Sequence, residues 1–478
     1  MHSDYYGSII GGEEIVDDSA TFDCIDPATN LTVAKIHRAD SAVVDAAVEN
    51  SWQAFPAWRD LDGAERAGVM LRVADALEAQ FDLLAHLESL DNGKPLLEAE
   101  GDVRLTINYY RYFAGLADKT RGDTLPLGRD IHAYTRLEPF GVTAHIVPWN
   151  AALQQSARSV APAIAAGNTA IIKPAEDTSL AVVEFAKIAV AAGLPAGVVN
   201  VVTGYGVEAG AALASHPDVR KVAFTGSVAT GQQILEASKS NLAPVTLELG
   251  GKSPNVVFAD ADLDAAATSS LRAINFCAGQ VCMAGSRLLV QRQVHDELVA
   301  KMIQLNGQVT LGRGLDNPTM GPITTAAQFE KIQDYLKVGV AEGAEAVSGG
   351  SVATVPGLEE GRFIQPTIFT GVQNSMRIAQ EEIFGPVLSV IVFDNEDEAL
   401  LLANDTPYGL AAGVWTRDLS RAHRVAAGIE AGQVAINNYF ANTYRSPFGG
   451  YKSSGHGREK GPDAILHYLQ SKTVAIQL

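Results

Sequence analysis

The chain of 478 residues carries 36 Lys and Arg against 55 Asp and Glu, a formal charge of −19, with 47% hydrophobic and 7% aromatic residues. Its length allows about two to four domains with sizeable cores. The acidity repels phosphate backbones and anionic membrane surfaces, so neither nucleic acid nor a membrane is an expected partner.

In chain order, residues 1 to about 35 read as irregular and strand-like, with a turn at Pro27-Ala28-Thr29-Asn30. Asp40 or Ser41 caps an Ala/Val-rich helix that ends near Pro56-Ala57-Trp58. Two more helices are predicted over roughly 63–90 and 97–117, broken apart by Asn92-Gly93-Lys94-Pro95. Residues 121–140 alternate in polarity and contain Gly and Pro, the pattern of a hairpin.

From Gly141 onward, apolar runs at 142–147, 169–172, 198–202, 222–225 and 245–249 alternate with helical stretches at 153–166, 178–192, 207–215 and 227–239. That alternation predicts parallel βαβ units in an open sheet, an α/β fold whose ligands sit at the carboxyl ends of the strands. A second α/β pattern runs from about 255 to 440, with strands at 255–258, 287–291, 387–393, 411–415 and 433–436. Residues 473–478 read as a short apolar strand that pairs with the 121–140 excursion or with another subunit. There is no apolar run near the ~18 residues of a membrane span and no basic-then-apolar leader. Three cysteines, Cys24, Cys277 and Cys282, do not make a disulfide framework, and a reducing cytoplasm is expected. No His or Cys spacing has the form of a metal site.

Three glycine turns at strand ends are candidates for holding phosphate: Gly204-Tyr205-Gly206 with Gly210, Thr225-Gly226-Ser227, and Leu249-Gly250-Gly251. Free amides at a helix N-terminus attract anions, although each turn taken alone also reads as structural. Lys173 and Glu176 follow another strand, where they can grip ribose hydroxyls or form a surface ion pair. A carboxylate there accepts from a 2′-OH and repels a 2′-phosphate. Glu248 ends an apolar strand, where burial raises its pKa toward that of a general base, unless it is a capped structural carboxylate. Cys282 lies among small residues in Ala278-Gly279-Gln280-Val281-Cys282-Met283-Ala284-Gly285, with room for a substrate at its thiol; Cys277 reads as a buried inert thiol.

Taken together and in order, Pro148-Trp149-Asn150, Lys173-Pro174-Ala175-Glu176, Phe224-Thr225-Gly226-Ser227, Glu248-Leu249-Gly250-Gly251-Lys252, Gly279-Gln280-Val281-Cys282, Glu381-Glu382-Ile383-Phe384-Gly385-Pro386 and Pro447-Phe448-Gly449-Gly450 resemble the aldehyde dehydrogenase superfamily over nearly the whole chain. The resemblance implies a Rossmann-like NAD-binding domain (1–120 and 141–249), a catalytic α/β domain (250–445) and a small bridging β oligomerisation element (121–140 and 465–478) of a homodimer or homotetramer. It implies Cys282 as nucleophile, Asn150 as oxyanion donor and Glu248 as activator of the hydrolytic water. Lys173, Glu176, Trp149, Gly206, Gly226, Ser227, Leu249, Glu382 and Phe384 would hold NAD, and Glu459 matches a second acidic position that assists proton transfer in some members.

For the substrate, Gln154, Gln155 and Arg158 replace the bulky apolar residues common in this wall, and Asn442 stands close before the Pro447-Phe448 motif. Arg158 resembles a carboxylate-binding Arg of succinic semialdehyde dehydrogenases, whose second Arg is Phe276 here; alternatively it points to solvent or an ion pair. The expected substrate is a polar, anionic or substituted aromatic aldehyde. The alternatives are a CoA-acylating semialdehyde dehydrogenase and a non-catalytic structural relative.

Overall fold

The computed structural model describes residues 3–441 and 443–478. Its centre is an eight-stranded sheet ordered 455–456, 245–248, 221–225, 142–146, 169–173, 199–201, 9–10, 13–14. The five inner strands are mutually parallel. Strands buried on both faces read as unbroken apolar runs, which is why these five stand out in the sequence.

A second sheet of seven strands is ordered 345–348, 367–370, 387–393, 287–291, 254–257, 411–415, 433–436. All its pairs are parallel except the one at 345–348. The strands at 345–348 and 367–370 are additions to the expected set.

Two expectations need correction. The helix expected over 63–90 is two helices, Gly63–Ala79 and Phe81–Asn92, which meet at Gln80 with φ −109°. No Gly or Pro marks the bend. The apolar faces of both helices, with Met70, Val73 and Leu77 on one and Leu84, Leu87 and Leu90 on the other, turn into the same core. The helix expected to end near Pro56-Ala57-Trp58 runs from Ser41 a little further, to Asp60, with that proline inside it, and is capped at its start by Asp40.

The tail strand is longer than expected, Leu469–Gln477, and pairs antiparallel with Ile131–Pro139 within the same chain. Together with Thr124–Leu125 they form a three-stranded sheet. No helix among the described residues is long and apolar enough to cross a membrane.

Candidate active site

The order of the first sheet reverses between 142–146 and 221–225, so the following crossovers diverge and open a crevice at the carboxyl ends of these two strands. Pro148-Trp149-Asn150 leave one strand and Thr225-Gly226-Ser227 the other. With Glu248 and Leu249 from the neighbouring strand end, they line a cavity of about 150 Å³. Cys282, Gln328, Lys331, Glu382 and Phe384 close it from the side of the second sheet. A second cavity, of about 260 Å³, opens on the other side of Cys282, with Gln154, Arg158, Phe276, Phe440, Phe448 and Lys460 in its wall. Asn150, Gln155 and Cys282 face both cavities.

The approach to Cys282 is strained. Cys277, Ala278 and Gly279 are consecutively left-handed, with φ of 50°, 51° and 72°, which costs of the order of 1–3 kcal/mol for each non-glycine residue. A web of hydrogen bonds holds the strain. Glu98 Oε2 accepts from the Cys277 amide at 2.9 Å and Gln280 Nε2 donates to the Cys277 carbonyl at 3.0 Å. The Thr324 amide donates to Gln280 Oε1 at 2.9 Å and Asn150 Nδ2 donates to the Gln280 carbonyl at 2.8 Å. At Gly279 a Cβ would stand 2.2 Å from the Gly385 carbonyl oxygen, and at Gly251 one would stand 2.5 Å from the Cys282 carbonyl oxygen. Glycine at both positions lets the Cys282 loop seat against its neighbours.

Burial pushes the Cys282 thiol up to about 11, against the pull of the Arg158 charge. It is therefore a neutral thiol at rest and needs a base to become a thiolate. Glu248 is that kind of group. Burial first, and the Glu459 carboxylate second, hold its pKa well above the ordinary range, while Arg158, Arg458 and Lys460 oppose them. Among the described residues nothing donates to either of its carboxylate oxygens, so they are open to a water or a thiol proton. Cys277 is buried and its thiol is also raised, by burial, with its Sγ 3.8 Å from the Asn150 carbonyl oxygen.

Arg158 does not point to solvent. It forms a buried ion pair with Glu459 and lies over the Phe448 ring at 5.2 Å. Its Nη2 donates to Gln155 Oε1 at 3.2 Å and to Thr225 Oγ1 at 3.1 Å. Gln155 Nε2 donates to Asn150 Oδ1 at 2.9 Å, and Gln154 Nε2 donates to the Tyr109 hydroxyl at 3.1 Å. Asn442 lies outside the described residues.

On the first cavity, Trp149 and Phe384 meet edge to face at 5.3 Å. Glu382 Oε1 accepts from the Gly251 amide at 2.9 Å, and Ser227 Oγ caps the helix Val228–Ala237 by accepting from the Thr230 amide. Lys173, Glu176 and Gly206 do not line this cavity. They stand at the ends of the next two strands of the same sheet, where Lys173 Nζ, buried, is 3.0 Å from the more exposed Glu176 carboxylate. Gly206, itself exposed, opens the turn Gly206–Gly210 beside them, whose end at Ala209 and Gly210 is buried.

Sequence reasoning missed the support beneath Asn150. Lys94 Nζ donates to the Asn150 carbonyl at 2.7 Å, to Asp102 at 2.6 Å and to Glu88 at 3.2 Å, all buried. Asn92 Nδ2 donates to the Trp149 carbonyl at 2.9 Å. Asn92-Gly93-Lys94-Pro95 reads in sequence only as a helix break, yet it also clamps the loop that carries the oxyanion candidate. Gln328, Lys331 and the anchoring Gln280 had no separate signal.

Comparison with known proteins gives a concordant result. The family model described as "Aldehyde dehydrogenase family" matches residues 15–474. An aldehyde dehydrogenase of Emericella nidulans is 45% identical over 464 residues, 96% of this chain and 93% of that protein. The indole-3-acetaldehyde dehydrogenase AldA of P. syringae, solved with NAD+ and IAA, superposes with a TM-score of 0.96 at 42% identity, over 99% of this chain and 96% of that one. An aldehyde dehydrogenase from Bacillus cereus, solved as its NAD+ complex, gives 0.97 at 42% identity, over 99% and 97% of the two chains.

Proposed function

The chain belongs to the aldehyde dehydrogenase family, and on that premise we propose that it oxidises an aldehyde to the carboxylic acid with NAD, through a thioester on Cys282 that water hydrolyses. The observation that carries this reading is the position of Cys282 between two cavities, with Asn150 facing both and Glu248 on the first.

The residues present fit NAD. The crevice lies at the reversal of strand order, Ser227 lines it at the start of the helix Val228–Ala237, where a helix N-terminus favours an anion, and the buried Lys173 ammonium, its pKa lowered by burial, is paired with a single carboxylate. Lys173, Glu176 and Glu382 would hold the ribose hydroxyls; Gly206, Gly226 and Ser227 the pyrophosphate region; Trp149, Leu249 and Phe384 the walls. The Glu176 charge favours NAD over NADP. When bound, NAD supplies the acceptor for the hydride that converts a thiohemiacetal into a thioester.

The chain's own residues do the rest. Glu248, in its ionised form, takes the thiol proton of Cys282. The thiolate adds to the aldehyde carbon, and the Asn150 side-chain amide with the Cys282 backbone N–H stabilises the oxyanion. Once the thioester stands and Glu248 has released the first proton to solvent, Glu248 takes a proton from water as it attacks the acyl carbon and passes it to the departing Cys282 thiolate. The C–S bond breaks, the acid leaves and the thiol is restored. Glu248 supports transfer to water rather than to CoA.

The second cavity supports an aromatic aldehyde bearing a polar substituent. Phe276, Phe440 and Phe448 offer ring contacts, and Gln154 and Lys460 offer polar ones. The sheet of 124–125, 131–139 and 469–477 leaves Ile476 exposed, as is Leu478 just beyond it, which supports its role as the oligomerisation element beside cofactor-binding (1–120, 141–249) and catalytic (250–445) regions. Three free cysteines support a reducing compartment, the cytoplasm. NADH release across aliphatic, carboxylated and aromatic aldehydes tests the reading. Turnover highest with substituted aromatic aldehydes is expected; no NADH from any of them would refute it.

A further inference from the structure

We infer that Arg158 is a positioning residue: it fixes which way the Gln155 amide points, and through it the Asn150 amide, and it does not serve as a clamp for a substrate carboxylate. The inference rests on the proposed oxidation of an aldehyde at Cys282.

A side-chain amide has two orientations of nearly the same shape, one presenting its oxygen and the other its NH2. What settles the choice is a neighbour that can only donate or only accept. The Arg158 guanidinium has donors and no acceptor. Its Nη2 meets Gln155 at 3.2 Å, so Gln155 must turn its oxygen there. Gln155 Nε2 then faces Asn150 at 2.9 Å, and Asn150 must present Oδ1 to it. Asn150 Nδ2 is thereby aimed at the Gln280 carbonyl, 2.8 Å away, a pure acceptor at the far end of the chain of bonds. The donor-only and acceptor-only ends agree, and the second Nδ2 proton remains for an oxyanion beside Cys282.

Three features make Arg158 a fixed end. It follows Gln155 by three residues on the buried helix Ala152–Ala165, the spacing that brings side chains together on one face. It is held by Glu459, Thr225 and the Phe448 ring. Its Nε faces Glu459 and its Nη2 donates to both Gln155 and Thr225, so the guanidinium is held from two sides. An inverted Asn150 would set a lone pair where the reaction needs a donor, which converts stabilisation of the oxyanion into repulsion.

The test compares Arg158→Met, Arg158→Lys and the double variant Arg158→Met with Glu459→Gln, using NAD with one neutral and one carboxylated benzaldehyde. Arg158→Met is expected to lower kcat about tenfold or more for both aldehydes, short of the ~10²–10³ lost when an oxyanion donor is removed outright. The ratio of the two KM values should stay within about threefold of the wild-type ratio. Arg158→Lys, which keeps a donor-only group, should recover part of kcat. The double variant removes the unpaired Glu459 charge and should stay slow. A KM rise of about tenfold confined to the carboxylated aldehyde, with kcat intact, would overturn the inference in favour of a clamp. Full kcat in the double variant would also overturn it, because the loss would then belong to the stranded charge. Failure of the wild-type chain to form NADH is a different result and falls on the proposed function instead.

Discussion

The Arg158 guanidinium and the Glu459 carboxylate face each other with side chains only 5% and 4% exposed, directly beside the catalytic candidate Glu248. Two carboxylates therefore share one buried region with one guanidinium. Their charges, with those of Arg458 and Lys460, set how readily Glu248 ionises.

Neutralising Glu459 has two expected effects of different kinds. Glu459→Gln leaves a buried Arg158 without its counter-charge, which costs about 3–5 kcal/mol of stability and is read from the denaturant midpoint. It also removes a repulsion that raises Glu248. The groups still facing Glu248 are then Arg158, Arg458, Lys460 and the Cys282 thiol. With Glu459 neutral, burial alone holds Glu248 up against Arg158, Arg458 and Lys460, so the Glu248 pKa falls and the rising limb of kcat against pH moves to lower pH. A limb that stays in place would show that Glu459 does not act on the base.

Stability itself should depend on pH through Glu98. Burial pushes this carboxyl up to about 8, against the pull of Lys94 and the hydrogen bond from the Cys277 amide. In the unfolded chain it titrates near the ordinary value of 4.5. The folded state therefore holds the proton more tightly, so this contribution is present below about 4.5 and is lost as pH rises toward about 8. Glu98→Gln keeps an acceptor for the Cys277 amide and removes the titration. The urea midpoint of the variant should fall less between pH 5 and pH 8.5 than that of the wild type.

The choice of cofactor should turn on Glu176. Replacing it with Gln removes the charge that repels a 2′-phosphate and retains a group able to meet a ribose hydroxyl. We expect kcat/KM with NADP to rise relative to NAD by roughly tenfold, about the 1.4 kcal/mol of one removed charge contact. An unchanged ratio would remove Glu176 from cofactor discrimination.

Much of the frame was legible in the chain. The five parallel strands from 142 to 248 announce themselves as apolar runs because both of their faces are covered. Their order, and with it the crevice between Asn150 and Thr225, follows from pairing that no local pattern contains. The strand at 9–10 and the edge strand at 345–348 are too short or too half-exposed to show a period. The bend at Gln80 has no breaker residue, so only tertiary packing reveals it.

The site divides in the same way. Asn150, Glu248 and Cys282 could be picked out by residue type and place, and the structure brings all three around one cavity. What Arg158 does could not be read, since a buried arginine in sequence has no stated partner, and that partner, Glu459, lies 301 positions further along the chain. The same separation hid Gln280, whose carbonyl meets Asn150 across 130 residues.

The central claim, a thioester on Cys282 that Glu248 hydrolyses, is tested most directly by peptide mass spectrometry of Glu248→Gln quenched during turnover with NAD and a substituted benzaldehyde. The account predicts that an acyl adduct builds up on the peptide bearing Cys282, slowly because the variant also lacks the base that takes the thiol proton, and that NADH release levels off near one per site. An adduct on Cys277, or no adduct while turnover continues at the wild-type rate, would contradict it.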